Sequence, residues 1–593
     1  MNYFSKSFFL WGEISPIFID DLEENNWSWA ETQPWCTESD GIYYIENVTI
    51  NAENNGSCLL IQNSRVNFVI KNCTLYNSGY GTAPDYEAGI KLVNTTNGRI
   101  LENDCSNNGA AGIYLHDSCE NITISGNTVN YNYYYGICLN NKCNKNNISG
   151  NNAYDNYYHG IYLNGSCSEN TVSGNFANDN RYFGIALLFN SSNNIISGNT
   201  ANGNGNYGIL ISSYSDNNSI SENTASYNDY YGIRVSWYSD NTTITENRLW
   251  DNDRYDVYLI GCTKARLRDN EMDHNGLGIY GSPEGLRSHD IDTSNKLYYF
   301  RPIYYLIDET GLDFSDIAYS TFIGQIFLVN CSYSTISGIH ISDTSNAISL
   351  YYSSQNTIRN NYIDYNQNGV YLRNSWANNI KDNNMYNNEN GIYLDYLCTA
   401  NNISENEITY NEIGILLEDN CTDNTISANI IEDNSDFGIQ LDMYCDNNDI
   451  VGNILRDNIR GLYLWGSSYN TIYLNIFDNQ YNAYNDGIYN QWDNGIQGNY
   501  WNDYRGYDFN MDGIGDVPHE VPAPGGRESF DRYPLISYVQ KPSIPFGGPY
   551  LIVMVIAFVS FVVVFKRNRA NIYFPRASLV NRLVQAKRKI IRF

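Results

Sequence analysis

Oxygen-bearing side chains near the end of the sequence follow a spacing that is typical of calcium loops. In the pattern D-x-[DN]-x-[DN]-G, oxygen ligands stand at positions 1, 3, 5 and 9, and a bidentate glutamate stands at position 12. The matching residues are Asp508, Asn510, Asp512 and Asp516, with Gly513 at position 6. His519 replaces the glutamate, so the loop is not a complete EF-hand. We expect a structural Ca²⁺ ion here; an Asp/Gly turn without an ion is the alternative.

Tyrosine is the second residue type whose placement suggests chemistry. Many of the 54 tyrosines fall just before, or two residues after, a recurring glycine. Aromatic rings beside Asn and Asp can bind sugars, because the flat ring contacts the apolar sugar face and the polar groups bind hydroxyls. The alternative is that stacked tyrosines only stabilise and cover the sheets. The candidate glycan-binding residues are Tyr114, Tyr134, Tyr158, Tyr162, Tyr182, Tyr230, Tyr371 and Tyr393.

Catalytic patterns are weak by comparison. Glycan hydrolysis requires paired carboxyl groups that act as acid and base. The Asp-Asp pair Asp20-Asp21 lies near the amino terminus, and isolated acids such as Asp117 and Asp155 fit solvated turns. Copper sites favour Met, Cys and His, but the six histidines and six methionines form no cluster in the sequence. We therefore predict no catalytic residues and favour a non-catalytic protein over an enzyme.

A repeat must position these side chains. Gly-Ile recurs in steps of 24 residues from Gly112 to Gly232, and fifteen units of 22–24 residues can be recognised. Each glycine opens a short alternating segment such as Gly-Ile-Tyr-Leu, in which Ile and Leu point to one side and Tyr to the other. Units of this length, built of strands and turns, stack as coils of a parallel β-solenoid. We therefore predict an all-β solenoid of about 15 coils.

Asparagine and cysteine keep the same register. Asn recurs 15 and 20 residues after the glycine, and stacked Asn amides can hydrogen-bond from one coil to the next. Cysteines recur seven residues after the glycine, at Cys119, Cys143, Cys167, Cys398, Cys421 and Cys445. We interpret these as buried free thiols, with disulfide pairing as the alternative. The regular register argues against a disordered Asn-rich chain.

Charge and hydropathy predict a membrane-anchored surface protein. The net charge of −30 argues against a nucleic-acid partner. Residues 550–565 are apolar without interruption, and about 20 such residues are required to cross a bilayer. Residues 566–593 contain nine Lys/Arg and no acid, which places them in the cytoplasm and the large amino-terminal part outside the cell. Several Asn-X-Ser/Thr sites, including Asn47 and Asn72, are candidate glycosylation sites.

These signals divide the chain into eight segments. The predicted segments are an amino-terminal cap (1–60), a first helix run (61–287), an insertion (288–330), a second run (331–489), a cap with the calcium loop (490–540), a linker (541–549), a single-pass transmembrane helix (550–565) and a basic tail (566–593). No clear signal peptide precedes residue 13, because the apolar stretch there is short.

Residues 45–535 resemble the NosD-like, pectin-lyase-type family of right-handed single-stranded parallel β-helices. The Gly-Ile/Asn coils look like its repeats. Residues 288–329, which begin SHDIDTSNKLYYFRPIYYLIDETG, are similar to the segment that splits the helix in NosD-like archaeal surface proteins. Residues 498–535, GNYWNDYRGYDFNMDGIGD…DRYPL, are similar to their carboxyl-terminal cap. The resemblance implies the fold and a surface location.

The resemblance is weak for activity, because the family includes lyases, hydrolases, binding proteins and structural rods. Neither the Gly-His-Gly nor the Arg-Ile-Lys motif of pectin-degrading hydrolases occurs. We expect a non-catalytic protein that binds glycans or other surface components, or serves the cell envelope structurally. A polysaccharide lyase or glycoside hydrolase is the alternative, and a copper-site accessory role, implied by the NosD name, is a minor one.

Overall fold

The structure is a computed structural model that describes residues 13–314, 323–524 and 529–537. These residues form an all-β, right-handed parallel solenoid of about 19 turns with almost no helix. The solenoid consists of two runs of coils, which we call the first run (17–291) and the second run (301–501). Among the described residues, no helix is long and apolar enough to span a membrane. The predicted transmembrane segment 550–565 lies outside the described residues.

The first run contains two large sheets. Its long-strand sheet has 11 strands: Ile17–Asp20, Leu59–Gln62, Ala88–Val93, Ala111–His116, Tyr135–Asn140, His159–Asn164, Phe183–Leu188, Tyr207–Ile211, Tyr231–Ser236, Tyr255–Ile260 and Leu277–Tyr280. The second sheet has 12 strands: Cys36–Ser39, Ile42–Glu46, Asn67–Lys71, Gly98–Leu101, Thr123–Ser125, Asn147–Ser149, Thr171–Ser173, Ile195–Ser197, Ser219–Ser221, Thr243–Thr245, Arg266–Arg268 and Asp290–Ile291.

The second run contains three sheets. Its long-strand sheet comprises Arg301–Ile307, Gln325–Val329, Asn346–Tyr351, Asn368–Arg373, Asn390–Asp395, Ile413–Glu418, Phe437–Asp442, Arg460–Trp465 and Tyr481–Asn485. At Arg301–Ile307 this sheet continues into three short strands that precede the second run, Arg248–Leu249, Glu271–Met272 and Lys296–Leu297, so that it has 12 strands in all. A seven-stranded sheet comprises Thr335–Ser337, Thr357–Arg359, Asn379–Lys381, Asn402–Ser404, Thr425–Ser427, Asp449–Val451 and Thr471–Tyr473. An eight-stranded sheet comprises His340–Ser342, Tyr362–Asp364, Asn384–Tyr386, Glu407–Thr409, Ile430–Glu432, Ile454–Arg456, Ile476–Asp478 and Tyr500–Trp501.

Short elements complete the described fold. The remaining strands are Glu13–Ile14, Thr49–Asn51, Thr74–Tyr76, Gly81–Thr82, Asp85–Tyr86, His519–Glu520 and Phe530–Asp531. The helical turns are Trp27–Ala30, Pro283–Arg287 and the 3-10 turn Tyr298–Phe300.

The predicted count of about 15 coils was too low. The prediction counted coils by the Gly-Ile marker, and five long strands lack that marker. They are Ile17–Asp20, Leu59–Gln62, Arg301–Ile307, Gln325–Val329 and Tyr481–Asn485. The solenoid therefore begins inside the predicted cap 1–60, and the second run begins inside the predicted insertion 288–330.

Hydrophobic side chains define the inside of each coil. Ile113 pairs in parallel register with Ile137, and Leu115 with Leu139, and all four side chains are fully buried. The repeated glycine is required by close packing: a Cβ on Gly136 would lie 2.6 Å from the carbonyl oxygen of Gly160 in the next coil. A side chain at Gly136 would therefore clash with the backbone of the next coil.

The predicted asparagine ladder is confirmed. The side-chain oxygen of Asn151 accepts hydrogen bonds from both the backbone N–H and the Nδ2 of Asn127, each at 2.9 Å. Asn127 Nδ2 also donates to the carbonyl of Ile100 at 2.9 Å. The pattern continues in adjacent coils, for example from Asn151 to Asn175. These amides pair backbone groups that are buried from water.

All thirteen cysteines are free and buried, as the free-thiol interpretation predicts. Burial raises the pKa of the Cys105 and Cys138 thiols well above the ordinary value. These thiols therefore stay protonated near neutral pH and pack as small apolar groups.

The two runs meet where the first run ends. The hydrophobic core of the first run continues into Tyr305, Phe327 and Tyr351, which stand on the second run. The Gln325 side chain pairs with both backbone groups of Leu277, accepting from the N–H at 2.8 Å and donating to the carbonyl at 3.2 Å. The edge of the last long strand is thereby covered by the second run, as an open sheet edge requires.

The asparagine ladder yields a stability prediction. Asn175→Ala removes the acceptor for the Asn151 N–H and the donor to the Ile148 carbonyl, each bonded at 2.9 Å. Because an unpaired buried polar group destabilises by about 1–3 kcal/mol, we expect a loss of about 3 kcal/mol in urea unfolding. Asn152→Ala changes an exposed neighbour and serves as the control. Equal midpoints for the two variants would contradict a structural role for the ladder.

The junction yields a second prediction. In Gln325→Ala the Leu277 backbone groups lose their partner, so the Leu277 amide should exchange its hydrogen at least tenfold faster. Hydrogen-exchange mass spectrometry of peptides covering 270–281 measures the effect, and exposed Gln480→Ala is the control. Unchanged exchange in Gln325→Ala would show that other contacts hold the strand edge.

Candidate functional site

In the first run, the aromatic side chains directly before the repeated glycine of successive coils form a column of stacked rings. Successive ring centroids are 4.5–6.0 Å apart and the interplanar angles are 10–27°. Each ring therefore covers the faces of its neighbours, and a sugar would meet ring edges. This column supports the stabilising interpretation of the tyrosine pattern. Its members are Tyr135, His159, Phe183, Tyr207, Tyr231 and Tyr255.

A second column lies beside the first. Tyr134, Tyr158 and Tyr182 are half-buried, with centroids 5.2 and 5.3 Å apart along the column. Tyr230 is 40% exposed, and the Arg254 guanidinium lies 5.2 Å above its ring. These four candidates lie on one outward face of the first run, and they form no cavity.

Two first-run candidates lie deeper. Tyr114 is fully buried, and its hydroxyl donates to the Pro84 carbonyl of the short hairpin that covers it. No ligand reaches this ring in the described conformation. Tyr162 is half-buried, with its centroid 5.0 Å from that of Tyr135 and 5.1 Å from that of His159.

The remaining candidates, Tyr371 and Tyr393, line a concave site that we call the corner cavity. It has a volume of about 250 Å³ and lies where the two runs meet. Because the rings of Tyr371 and Tyr393 meet edge-on at 74°, they do not cover each other's faces. The aromatic lining is Tyr255, Tyr258 and Tyr280 from the first run and Tyr351, Tyr371 and Tyr393 from the second.

Contacts between the runs hold the cavity in shape. Tyr351 Oη donates to the Ile279 carbonyl at 3.1 Å. Arg373 Nη2 donates to Tyr280 Oη at 2.8 Å, and its guanidinium lies 4.4 Å above the Tyr280 ring. Arg373 is also paired with the Asp395 carboxylate, so its charge is compensated. The walls of the cavity are therefore preorganised.

The polar lining consists of side-chain amides and one acid. Burial raises the pKa of Tyr255 to about 12 and raises that of Tyr371 well above its usual value. These phenols therefore keep their protons near neutral pH and do not act as bases. Among the lining residues, all of them described, Glu389 is the one carboxyl group. The polar residues are Asn346, Gln367, Asn368, Glu389 and Asn390.

Sequence reasoning identified Tyr371 and Tyr393 but missed the other lining residues. A signal for the amides was present: the position before the repeated glycine carries rings in the first run and Asn at 346, 368 and 390. No sequence pattern connected these residues with Tyr255 and Tyr258, since the contact depends on how one run meets the other.

The predicted calcium residues lie together in one exposed loop. The Asp508 carboxylate accepts from the N–H groups of Asp512, at 3.2 Å, and Gly513, at 2.9 Å. Asn510 Oδ1 accepts from the Asp512 N–H at 3.0 Å, and Asp516 accepts from that of Phe509. Across the described ranges, no group of three or more His, Cys, Asp or Glu is arranged to hold a metal ion. Calcium binding stays a prediction.

The side chains that copper prefers are dispersed or buried. His159 lies in the stacked column, where burial lowers its pKa to about 3. His289 is buried, and its Nδ1 accepts from the Ala265 N–H at 3.2 Å. Met272 and Met385 belong to the hydrophobic cores, as do most of the cysteines. The residues that the structure describes therefore do not fit a copper centre.

Several solved structures are similar to this chain. A periplasmic alginate epimerase shares 18% identity, covering 46% of this chain and 82% of its own, with a TM-score of 0.32. An alginate lyase from Paenibacillus sp. str. FPU-7 shares 14%, covering 46% and 99%, with a TM-score of 0.34. A pectate lyase shares 14%, covering 48% and 80%, with a TM-score of 0.32. Among curated proteins, none matches the sequence.

Two family models match the sequence. The model described as right handed beta helix region matches residues 22–177. The model described as periplasmic copper-binding protein (NosD) matches residues 165–276, 275–436 and 326–506, which together exceed half of the 593 residues. The chain therefore belongs to the NosD family of right-handed parallel β-helix proteins.

Proposed function

We propose that this protein is a non-catalytic, saccharide-binding β-helix of the cell surface, and that the corner cavity holds the saccharide. The observation that carries the proposal is the lining of the cavity, in which six tyrosines stand beside four side-chain amides. Ring faces contact the apolar face of a sugar, and amides exchange hydrogen bonds with its hydroxyls. Ligand sites commonly combine aromatic walls with a few convergent polar groups.

The size and openness of the cavity favour part of a longer glycan. Its volume of about 250 Å³ is below the roughly 300–1,000 Å³ of pockets that enclose drug-sized ligands. Tyr280, Gln367 and Glu389 are exposed and form its mouth. A chain can therefore extend into solvent while one sugar ring occupies the cavity.

The lining favours binding over hydrolysis. Glycoside hydrolases place two carboxyl groups about 5–10 Å apart across the scissile bond, whereas Glu389 stands without a second acid in the lining. The nearby Asp395 carboxylate accepts a hydrogen bond from Tyr371 Oη and is paired with Arg373. Because both interactions engage this carboxylate, it is not free to act as a general acid or base.

The surface location rests on the sequence. The apolar segment 550–565 and the basic residues 566–593 support a single-pass anchor with a cytoplasmic tail and an extracellular β-helix. The charge of −30 supports partners other than nucleic acid, such as glycans or neighbouring surface proteins.

Binding and turnover are tested together on the purified protein. We expect at least one polysaccharide of a neutral and charged panel to retard the protein in affinity electrophoresis, without release of reducing or unsaturated ends. Release of such ends would replace the binding proposal with the lyase or hydrolase alternative. Absence of retardation by every glycan would refute the proposal.

A matched pair of variants locates the site. Tyr393→Leu removes a cavity wall, and the next residue in the same column is Leu416, so leucine fits the coil. Tyr463→Leu changes a residue of the same column outside the cavity. We expect about tenfold weaker glycan binding for Tyr393→Leu, equivalent to about 1.4 kcal/mol, and unchanged binding for Tyr463→Leu. Equal affinities would place the saccharide elsewhere.

We also propose that the 508–516 loop binds Ca²⁺ and thereby stiffens the end of the second run. The loop supplies clustered oxygen ligands of the kind that Ca²⁺ prefers. Calcium should raise the melting temperature of the wild-type protein relative to chelator, and Asp508→Asn combined with Asp512→Asn should abolish the increase. Asp457→Asn, in an exposed bend of the second run, is the control. Identical melting with calcium and with chelator would favour the turn without an ion.

A further inference from the structure

A ladder of amides ends inside the corner cavity. Asn368 Nδ2 donates to Asn346 Oδ1 at 2.7 Å, and Asn390 Nδ2 donates to Asn368 Oδ1 at 2.9 Å. In the next coil this position is Ile413, which has no donor. Asn390 Oδ1 therefore accepts no hydrogen bond from any described residue, although Asn390 is only 8% exposed. A buried acceptor without a donor is unfavourable unless a ligand or water supplies one.

The same cavity is lined by one carboxylate. Glu389 precedes Asn390 in the chain and also lines the cavity, and its side chain is exposed at the mouth. The nearby cation, Arg373, contacts the Asp395 carboxylate and the ring of Tyr280. No other charged side chain contributes to the described lining. The polar part of the cavity therefore offers one buried acceptor without a donor and one carboxylate.

Aromatic rings make up half of the residues that line the cavity. Tyr255 and Tyr258 come from the first run, and Tyr371 and Tyr393 from the second. A cation within about 6 Å of such a ring is attracted by its quadrupole, and more strongly where water is excluded. A lining that combines acceptors with aromatic rings is complementary to a positively charged group that also donates hydrogen bonds.

We infer that the corner cavity recognises a protonated primary amine carried on a sugar ring, that is, an amino sugar without an N-acetyl group. The inference rests on the proposed saccharide-binding function and names the ligand class. The ammonium donates to Asn390 Oδ1 and to the Glu389 carboxylate, and its charge faces the tyrosine rings. The sugar ring contacts Tyr371 or Tyr393, and its hydroxyls bond to the amides of Gln367 and Asn346.

Charge favours this class over neutral and acidic sugars. A neutral sugar can donate a hydroxyl to Asn390, but it would partly desolvate Glu389 without compensating its charge. A uronate would bring a second negative charge next to Glu389. An ammonium pairs with Glu389 through a charge-assisted hydrogen bond, which is about twice as strong as a neutral one.

The decisive comparison uses two oligosaccharides of equal length that differ only in N-acetylation: a glucosamine oligomer and its N-acetylated form. Calorimetry is carried out on the full protein at a pH at which the amine is protonated. We expect the free-amine oligomer to bind at least tenfold more tightly, with an affinity that weakens as salt increases. Equal affinities would overturn the inference but leave the proposed function intact, whereas failure of every glycan in the panel to bind would refute both.

Variants and a simple amine complete the test. Glu389→Gln should abolish the preference for the free amine, whereas Glu412→Gln, at the equivalent exposed position of the next coil and outside the cavity, should retain it. Asn390→Leu should weaken binding of the free-amine oligomer. Asn164→Leu is its control, because Asn164 Oδ1 also lacks a donor but lies outside the cavity. An unchanged preference in Glu389→Gln would overturn the inference, as would equally tight binding of 1,4-diaminobutane, which carries no sugar ring.

Discussion

The buried asparagine amide that reaches from one coil to the next is the interaction on which the rest of the structure depends. A coil of this solenoid has sharp corners, and at a corner the backbone cannot complete a regular ladder. At one such corner the side chain of Asn175 supplies the missing hydrogen bonds. It accepts from the backbone N–H and the Nδ2 of Asn151 and donates to the Ile148 carbonyl. Buried polar groups are thereby paired in every direction, and the apolar strands stack at a constant rise.

The stack of coils in the first run has an open end, and the way this end is closed determines the structure of the junction. The hydrophobic interior of the first run would be open after its last long strand. Outward-facing side chains of the second run, including Phe327 and Tyr351, close it, and Gln325 completes the strand edge. Closing one run with the side of another leaves a concavity at the junction, which is the corner cavity. The candidate site therefore exists because the second run covers the open end of the first run.

The same stacking decides which tyrosines can meet a ligand. Regular stacking at 4.5–6.0 Å covers ring faces along the first run. Tyr371 and Tyr393 belong to a different position, two residues after the glycine of the second run, where the neighbouring rings meet edge-on and leave faces uncovered. Another group becomes available to a ligand at Asn390 Oδ1, which is unpaired because the amide ladder stops at Ile413.

By itself, the sequence determined the solenoid, its inward Ile and Leu residues, the asparagine ladder and the buried thiols, because each depends on contacts between equivalent positions one coil apart. It also placed the 508–516 residues in one loop, since they are close along the chain. It missed the coils that lack the Gly-Ile marker, such as Ile17–Asp20 and Arg301–Ile307. Only the tertiary structure brought Tyr255 and Tyr258 to Glu389 and Asn390. Those residues are more than 100 positions apart, and their contact depends on how the second run closes the first, which no repeat period encodes.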